Sequence, residues 1–333
     1  MSKIVILGAG AFGISIAIMA AEAGHSVTIW SAFESEVESI LSIREHKEKL
    51  PGVKIPESIG FTSDISCISG SDMVVIGVPS IFVRNVVKQA APYITPEMIV
   101  VNTSKGLEDG TYLRMSQVIR EEISDSPIVV LSGPSHAEEV ARKMPTTISA
   151  ASEDEKAAAT VQETLSNGCL RIYLNDDVTG CELGGSLKNI IALCAGICDG
   201  LGYGDNTIAA LMTRGITEIA RLGVAMGARL DTFFGLTGIG DLIVTCTSLH
   251  SRNRRAGTLI GKGVSPDDAV KQVGTVEGYY CCKAAYGLSR KMNVEMPITE
   301  ELYKILFENG DVNKPLASLM SRPSRHEREQ TLV

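Results

Sequence analysis

A lysine in the middle of the chain stands in sequence that suits acid–base chemistry. Gly184, Gly185 and Ser186 precede Lys188, and the apolar residues 190–193 follow it. Because glycine costs a helix roughly 1 kcal/mol relative to alanine, the glycines predict close approach of a ligand or of the neighbouring domain. Such a lysine is either a surface residue whose stem covers apolar neighbours or a buried functional amine, and both alternatives stay open.

Further polar residues follow in the second half of the chain. Asp241 stands between glycines, where it suits either a site or a helix cap. Residues 251–255, Ser-Arg-Asn-Arg-Arg, form a cationic cluster. Such a run is usually a solvated face, yet its donors also suit a phosphate. Glu277, beside Gly278, is a candidate contact to a ribose or an amide.

The N-terminal residues have the pattern of a dinucleotide-binding turn. An apolar run, residues 3–7, leads into a Gly-x-Gly-x-x-Gly motif and then a helical stretch. Gly8 permits the tight turn, Gly10 lets the backbone approach the phosphates, and Gly13 lets the helix pack against the strand. The helix N-terminus offers N–H groups and partial positive charge to a pyrophosphate. A methyltransferase with an adenosyl cofactor is also compatible with this segment alone.

The first half of the chain alternates predicted strands and helices. Short valine- and isoleucine-rich runs indicate a mostly parallel, doubly wound sheet covered on both faces. Ligands of such sheets collect beyond the carboxyl ends of the strands, where the loops at 77–80, 102–108 and 132–137 would line one crevice. The predicted strands are residues 3–7, 26–30, 72–78, 98–102, 127–131, 145–150 and 170–174.

After about residue 177 the strand signals stop. The fold class is therefore an α/β Rossmann domain followed by an all-α C-terminal domain. We place the first domain at residues 1–177, the second at 178–321 and a flexible tail at 322–333. The predicted helices of the second half are residues 178–201, 206–226, 276–292, 297–307 and 314–320.

Composition narrows the class of protein. The 333 residues suffice for about two domains, and the net charge of −8 argues against general nucleic-acid binding. No charged leader and no apolar run long enough to span a bilayer is recognised, so a cytoplasmic protein is expected. The eight cysteines lack a C-x-x-C pair and a zinc-type spacing, which predicts no metal and reduced thiols. Cys281 and Cys282 are expected to be structural rather than redox-active.

Several motifs together resemble the bacterial-type NAD(P)-dependent glycerol-3-phosphate dehydrogenases over nearly the whole chain. The resemblance implies reversible NAD(P)H-dependent reduction of a small-molecule substrate, dihydroxyacetone phosphate, to sn-glycerol 3-phosphate. This product is the head-group backbone for glycerophospholipid synthesis. The motifs are the glycine turn at 8–13 and residues 104–108, 132–135, 183–189, 240–242, 251–255, 276–278 and 295–298.

The resemblance also implies roles for individual residues. Lys188 would be the catalytic proton donor and acceptor. Contacts to the substrate would come from Lys105, Gly133, Ser135, Lys188, Asp241, Ser251, Arg252 and Asn253. Contacts to NAD or NADP would come from Gly8, Gly10, Ala11, Phe12, Gly13, Ala32, Lys105, Ala137, Arg252, Thr275 and Glu277.

These residue types suit the reduction of a ketone. The ketone oxygen gains negative charge as it accepts hydride, and an ammonium at Lys188 would stabilise and protonate it. Burial and the cation at Lys105 would lower the lysine pKa from about 10.4 towards roughly 7–8, whereas Asp241 would raise it. Arg252 and Asn253 would anchor the phosphate and so align the carbonyl.

The end of the second predicted strand departs from the usual patterns. NAD-selective units carry an acidic residue there, and the resembled family often has a basic one, but Ala32 is neither. Arg44 and Lys47 lie further along the chain. The preference between NAD and NADP is therefore left open by the sequence.

Two other functions are compatible with the same motifs. A beta-hydroxyacid or ketopantoate reductase would bind a carboxylate, which Arg252 could also hold. A non-catalytic dinucleotide sensor would bind cofactor tightly without turnover. A homodimer is also predicted, because glycine-rich helical domains often pack against a copy of themselves.

Overall fold

The chain divides into two structural units. The computed structural model describes residues 1–123, 125–324 and 326–327. The first unit consists of Met1–Ser104 and Met115–Val178, and the second of Lys105–Arg114 and Thr179–Val333. The boundaries drawn from the sequence stay a prediction, and most of the predicted tail lies outside the described residues.

Lys105–Arg114 belongs to the second unit, whereas the sequence-based division placed it in the first. Leu107 is buried in the helical core. Arg114 donates to the carboxylate of Glu182 at 2.5 Å, and Lys283 donates to Asp109 at 2.8 Å. These contacts explain the difference, since they arise from residues distant in sequence.

The first unit contains an eight-stranded sheet of order β3-β2-β1-β4-β5-β6-β7-β8. Neighbouring strands are parallel except β6 and β7, so the predicted mostly parallel sheet is confirmed. The strands are β1 (Lys3–Leu7), β2 (Ser26–Trp30), β3 (Gly60–Thr62), β4 (Met73–Ile76), β5 (Ile99–Asn102), β6 (Ile128–Ser132), β7 (Thr146–Ala151) and β8 (Leu170–Asn175).

Helices cover this sheet and complete its core. Ile4, Val5, Ile6 and Leu7 of β1 are fully buried, as expected of a continuous apolar run with both faces covered. The helices are α1 (Ala11–Glu22), α2 (Glu34–Ile43), α3 (Val83–Ala90), α4 (Met115–Glu122), α5 (Ala137–Ala141) and α6 (Glu155–Leu165).

The regular elements described in the second unit are helices, apart from one isolated bridge between Leu107 and Arg114, and the predicted all-α domain is confirmed. Its core is built around α7, most of whose residues are buried. Short 3₁₀ and π-helical turns, Leu230–Phe234 and Leu236–Gly240, precede α9. The helices are α7 (Val178–Gly200), α8 (Asp205–Ala225), α9 (Asp241–Thr247), α10 (Arg252–Gly261), α11 (Pro266–Val273), α12 (Glu277–Met292), α13 (Pro297–Phe307) and α14 (Lys314–Met320).

Helix α7 corrects one expectation from the sequence. With 23 residues and a mean hydropathy of 1.3 over its most apolar window, it is long and apolar enough to cross a membrane. However, 89% of that window is buried inside the protein. The helix therefore has the character of a core helix, which passes the same test of length and composition.

Candidate active site

The glycine turn has the geometry that its sequence predicts. Gly8 has a φ of +118°, a conformation that side chains rarely adopt. A Cβ atom at Gly13 would lie 2.6 Å from the carbonyl oxygen of Gly8, so α1 packs against the turn only with glycine there. The roles assigned to these two glycines in the turn and in packing are confirmed.

The N-terminus of α1 suits an anionic cofactor. Its cap residue, Gly10, supplies no side-chain hydrogen bond, and the first turn holds no acidic residue. The first N–H groups of the helix therefore lack the side-chain acceptor that usually caps them, and they can donate to a pyrophosphate. Ala11 and Phe12 are partly exposed at this end, and Ala32 is exposed just after β2. These residues fit a dinucleotide, which is the group that the motif predicts.

Two more predicted residues of the first unit lie after β6. Gly133 has a φ of +138°, and a Cβ atom there would lie 3.0 Å from Cα of Ile148. Ser135 donates its hydroxyl to the carbonyl oxygen of Gly133 at 3.0 Å. Ala137 begins α5, and its carbonyl accepts from Ser15 of α1 at 2.8 Å.

A buried cluster of two lysines and one aspartate lies in the helical unit. The Nζ atom of Lys188 donates to Oδ1 of Asp241 at 2.5 Å and to the hydroxyl of Thr245 at 2.6 Å. Nζ of Lys105 donates to Oδ2 of the same aspartate at 2.6 Å. The exposed fraction is 6% for Lys188 and 1% for Asp241. The sequence left open whether Lys188 is a surface residue or a buried amine, and in the structure its amine is buried.

This burial changes the acid–base character of both groups. Loss of solvation lowers the pKa of Lys188 to about 8, although Asp241 opposes this shift and Lys105 adds to it. Burial acts to raise the pKa of Asp241, but the ammonium groups of Lys105 and Lys188 outweigh it and hold that pKa below its usual value. The predicted lowering of the Lys188 pKa is confirmed. The aspartate is ionised and the lysine can exchange a proton near neutral pH.

The cluster is positioned by a close helix contact. A Cβ atom at Gly184 would lie 2.5 Å from the carbonyl oxygen of Thr237, in the turn that leads into Asp241. The glycine therefore brings the start of α9 against α7, where Lys188 stands one turn further on. The sequence predicted approach of a ligand or of the other domain, whereas for Gly184 the close neighbour is a segment of the same unit.

The cationic run at the start of α10 separates into internal and solvent-facing residues. Ser251 is the N-cap, and its hydroxyl accepts from the backbone N–H of Arg254. The guanidinium of Arg254 donates to the carbonyl oxygen of Thr247 at 3.1 Å and to the carboxylate of Asp199 at 3.3 Å. Arg252 is exposed and makes no hydrogen bond or ion pair with any residue that the structure describes. Of these two arginines, Arg252 is the one whose guanidinium is uncommitted.

Asn253 links three helices. Its amide nitrogen donates to Oδ1 of Asn189 at 2.9 Å, and its oxygen accepts from the N–H of Gly278 at 2.8 Å. One amide hydrogen is therefore left for another partner. Glu277 begins α12 beside this contact, and Thr275 precedes it in the chain.

Two buried polar residues were missed by sequence reasoning. Thr245 stands four residues after Asp241, on the same face of α9, and this spacing was the available signal. Asn189 directly follows Lys188 in an apolar helix, which was a comparable signal. Both fix a predicted site residue, Thr245 by accepting from Lys188 and Asn189 by accepting from Asn253.

Metal ligation and thiol reactivity are two further kinds of chemistry that the sequence analysis considered. No group of three or more His, Cys, Asp or Glu residues there could hold a metal ion. Cys281 and Cys282 are fully buried, and burial raises the pKa of both thiols. Such thiols are poor nucleophiles, as a structural role requires.

Known proteins of one family match both halves of the chain. The model of the NAD-dependent glycerol-3-phosphate dehydrogenase N-terminus matches residues 3–158, and that of the C-terminus matches residues 177–317. A curated glycerol-3-phosphate dehydrogenase [NAD(P)+] of Agathobacter rectalis is 50% identical over 98% of both chains. One of Clostridium perfringens is 48% identical over 98% of this chain and 99% of the relative.

A solved structure of the same family also resembles the chain over almost its whole length. A crystal structure of glycerol-3-phosphate dehydrogenase from Coxiella burnetii has a TM-score of 0.93 and 36% identity, and covers 96% of this chain and 99% of that one. A ketopantoate reductase from Ralstonia eutropha reaches a TM-score of 0.64 at 16% identity, covers 94% of this chain and 99% of its own, and shares the fold only. The chain belongs to the NAD-dependent glycerol-3-phosphate dehydrogenase family.

Proposed function

We propose that this chain catalyses the reversible reduction of dihydroxyacetone phosphate to sn-glycerol 3-phosphate with NAD(P)H. The observation that carries the proposal is the buried ammonium of Lys188, held by Asp241 and Thr245 with a pKa near 8. A reduced nicotinamide supplies the hydride when it is bound. The remaining task for the protein is to hold the ketone and to supply one proton.

Lys188 supplies that proton in the proposed mechanism. Its Nζ atom carries three hydrogens, of which two are donated to Asp241 and Thr245, so one is left for the substrate oxygen. As negative charge grows on that oxygen, the ammonium stabilises it and then transfers the proton. In the reverse direction the neutral amine accepts the proton from the alcohol. Asp241 orients the amine throughout, since both of its oxygens are bound to ammonium groups.

Substrate binding is assigned to the residues predicted from the sequence. Arg252 offers an uncommitted guanidinium, which suits a phosphate dianion because it donates two parallel hydrogen bonds. Ser251 and Asn253 would add a hydroxyl and an amide hydrogen. Gly133 and Ser135 of the first unit stay predicted contacts, as do the assigned cofactor contacts. We also propose that the product supplies glycerophospholipid synthesis.

A spectrophotometric assay tests this proposal against its alternatives. Purified protein is mixed with NADH or NADPH and either dihydroxyacetone phosphate or a panel of 2-oxo acids, including ketopantoate. We expect nicotinamide oxidation with the phosphorylated ketone alone. Turnover of a 2-oxo acid instead would identify a hydroxyacid-type reductase, and cofactor binding without any turnover would identify a sensor. The predicted homodimer and cytoplasmic location are tested separately by light scattering and by cell fractionation.

A further inference from the structure

The segment that follows β2 is acidic. Residues 31–43 contain three glutamates and no lysine or arginine. The carbonyl of Trp30, the last residue of β2, accepts from the backbone N–H of Gly8 at 2.8 Å. The acidic segment therefore starts beside the glycine turn, at the edge of the sheet where the adenosine ribose of a dinucleotide binds. An acidic residue there recognises the 2′-hydroxyl of NAD, whereas an arginine accommodates the 2′-phosphate of NADP.

A carboxylate is fixed at this edge. Glu36, in the first turn of α2, accepts from the hydroxyl of Ser31 at 2.5 Å and from Nζ of Lys49 at 2.5 Å, and lies 3.0 Å from Nε2 of His46. Burial opposes its ionisation, but the hydrogen bonds from these three residues lower the pKa of Glu36 to about 2. A carboxylate has about four acceptor positions, so three partners leave one for a ribose hydroxyl.

Two cations near this segment, Arg44 and Lys49, are already engaged in contacts within the protein. Arg44 donates to Glu57 at 3.0 Å and to the carbonyl of Ile59 at 2.9 Å. Lys49 is paired with Glu36, and Lys47 is exposed. A 2′-phosphate at this edge would therefore compete with the Glu36 carboxylate for the ammonium of Lys49.

We propose that Glu36, anchored beside the end of β2 through Ser31, selects NADH over NADPH. Its free acceptor position receives a hydrogen bond from the adenosine ribose, and its carboxylate occupies the Lys49 ammonium that a 2′-phosphate would need. Position 32 holds no acid, but the side chain of Glu36 supplies one from four residues further on. The inference rests on the proposed function only in requiring that the chain binds a nicotinamide dinucleotide.

Direct binding tests the inference without substrate. The dissociation constants of NADH and NADPH are measured by titrating the fluorescence of each cofactor with purified protein. We expect NADH to bind at least about tenfold more tightly to the unaltered protein, as the lack of one charge-assisted contact to the 2′-phosphate would produce. Glu36→Gln should weaken NADH binding and bring the ratio close to one. Ala32→Arg, at an exposed position, should strengthen NADPH binding.

Glu38→Gln is the matched control. Glu38 lies on the same helix, is exposed, and has no partner among the residues described. Its substitution removes the same charge and should leave the ratio unchanged. Equal shifts from both glutamine variants, or equal affinities in the unaltered protein, would overturn the inference.

Two further outcomes are distinguishable. If Glu36→Gln lowers the melting temperature sharply, Ala32→Arg still decides, because unchanged NADPH affinity in that variant would contradict a ribose site at this edge. If NADH binds selectively but no ketone is reduced, the proposed function fails and the selectivity stands. If the ketone is reduced but NADH and NADPH bind with equal affinity, the proposed function stands and the selectivity of Glu36 is contradicted.

Discussion

The glycine turn of the sheet unit and the ammonium cluster of the helical unit are built in opposite ways. The turn uses six consecutive residues, and its chemistry comes from backbone N–H groups that missing side chains leave accessible. The cluster uses side chains from positions 105, 188, 241 and 245, which only the tertiary fold brings together. The glycine turn depends on residues that lack side chains, whereas the ammonium cluster depends on opposite charges that stabilise one another.

This difference determines what damages each region. The turn should be sensitive to added atoms, because Gly13 leaves no room for a Cβ atom. The cluster should be sensitive to removed charge, because each buried ion depends on the others. Effects on cofactor affinity should therefore separate from effects on the chemical step.

The largest expected effect is on the chemical step. Lys188→Ala should lower kcat about 10³-fold, because general acid–base catalysis by a positioned group contributes on that order. Cofactor affinity should stay nearly unchanged, since the glycine turn is untouched. Steady-state kinetics and a cofactor titration on the same preparation measure the two quantities.

Lys262→Ala provides the matched control, as this lysine is exposed at the end of α10. It should leave kcat unaltered. If Lys188→Ala also retained near-normal turnover, the assigned role of the amine would be wrong.

The contrast also explains how much could be predicted from the sequence. The glycine turn was predictable because its signal is contiguous and its context, strand then helix, is local. The bounds of α13 and α14 agree with the predicted ones, since apolar spacing marks a helix over its whole length. The strand β3 was missed because its three residues, Gly60–Thr62, form a strand only through pairing with β2.

The remaining differences have a tertiary origin. The antiparallel pairing of β7 with β6 was not predicted, since a buried apolar run does not encode the direction of its neighbour. Lys188 and Asp241 were each identified from their sequence context. Their pairing at 2.5 Å, and the acceptor at Thr245, required the fold.

The two arginines of α10 sharpen the distinction between binding and stability. Arg252→Ala should raise the KM for dihydroxyacetone phosphate about 10–100-fold, because it removes charge-assisted hydrogen bonds. It should barely change the melting temperature, as Arg252 has no internal partner in the described chain. Arg254→Ala should lower the melting temperature and leave this KM nearly unchanged, since that side chain joins α10 to Thr247 and Asp199. An unchanged KM in Arg252→Ala would place the phosphate elsewhere.

Two glycine substitutions test the comparison in both units at once. Gly13→Ala should weaken cofactor binding about tenfold, because its Cβ atom would displace the turn. Gly184→Ala should lower kcat by a similar factor with cofactor affinity preserved, because its Cβ atom would displace the segment before Asp241. Cofactor titration and kcat are measured for both variants. Loss of cofactor affinity in Gly184→Ala would show that the two regions are not independent.

The smallest expected effect is a shift in pH dependence. Reduction requires the ammonium of Lys188, which is present below its pKa of about 8 and is lost as the pH rises through that value. The rate of reduction should therefore fall above about pH 8, and the rate of alcohol oxidation should rise across the same interval.

Neighbouring charges should move this pH limb in opposite directions. Asp241 raises the pKa of Lys188 and Lys105 lowers it. Asp241→Asn should therefore move the limb to lower pH and Lys105→Met to higher pH, each by about one pH unit. Profiles of kcat against pH, recorded with variants whose folding is verified by melting temperature, measure both shifts. A limb that stayed at the same pH in both variants would mean that another group donates the proton, because no amine so close to these two charges could titrate independently of them.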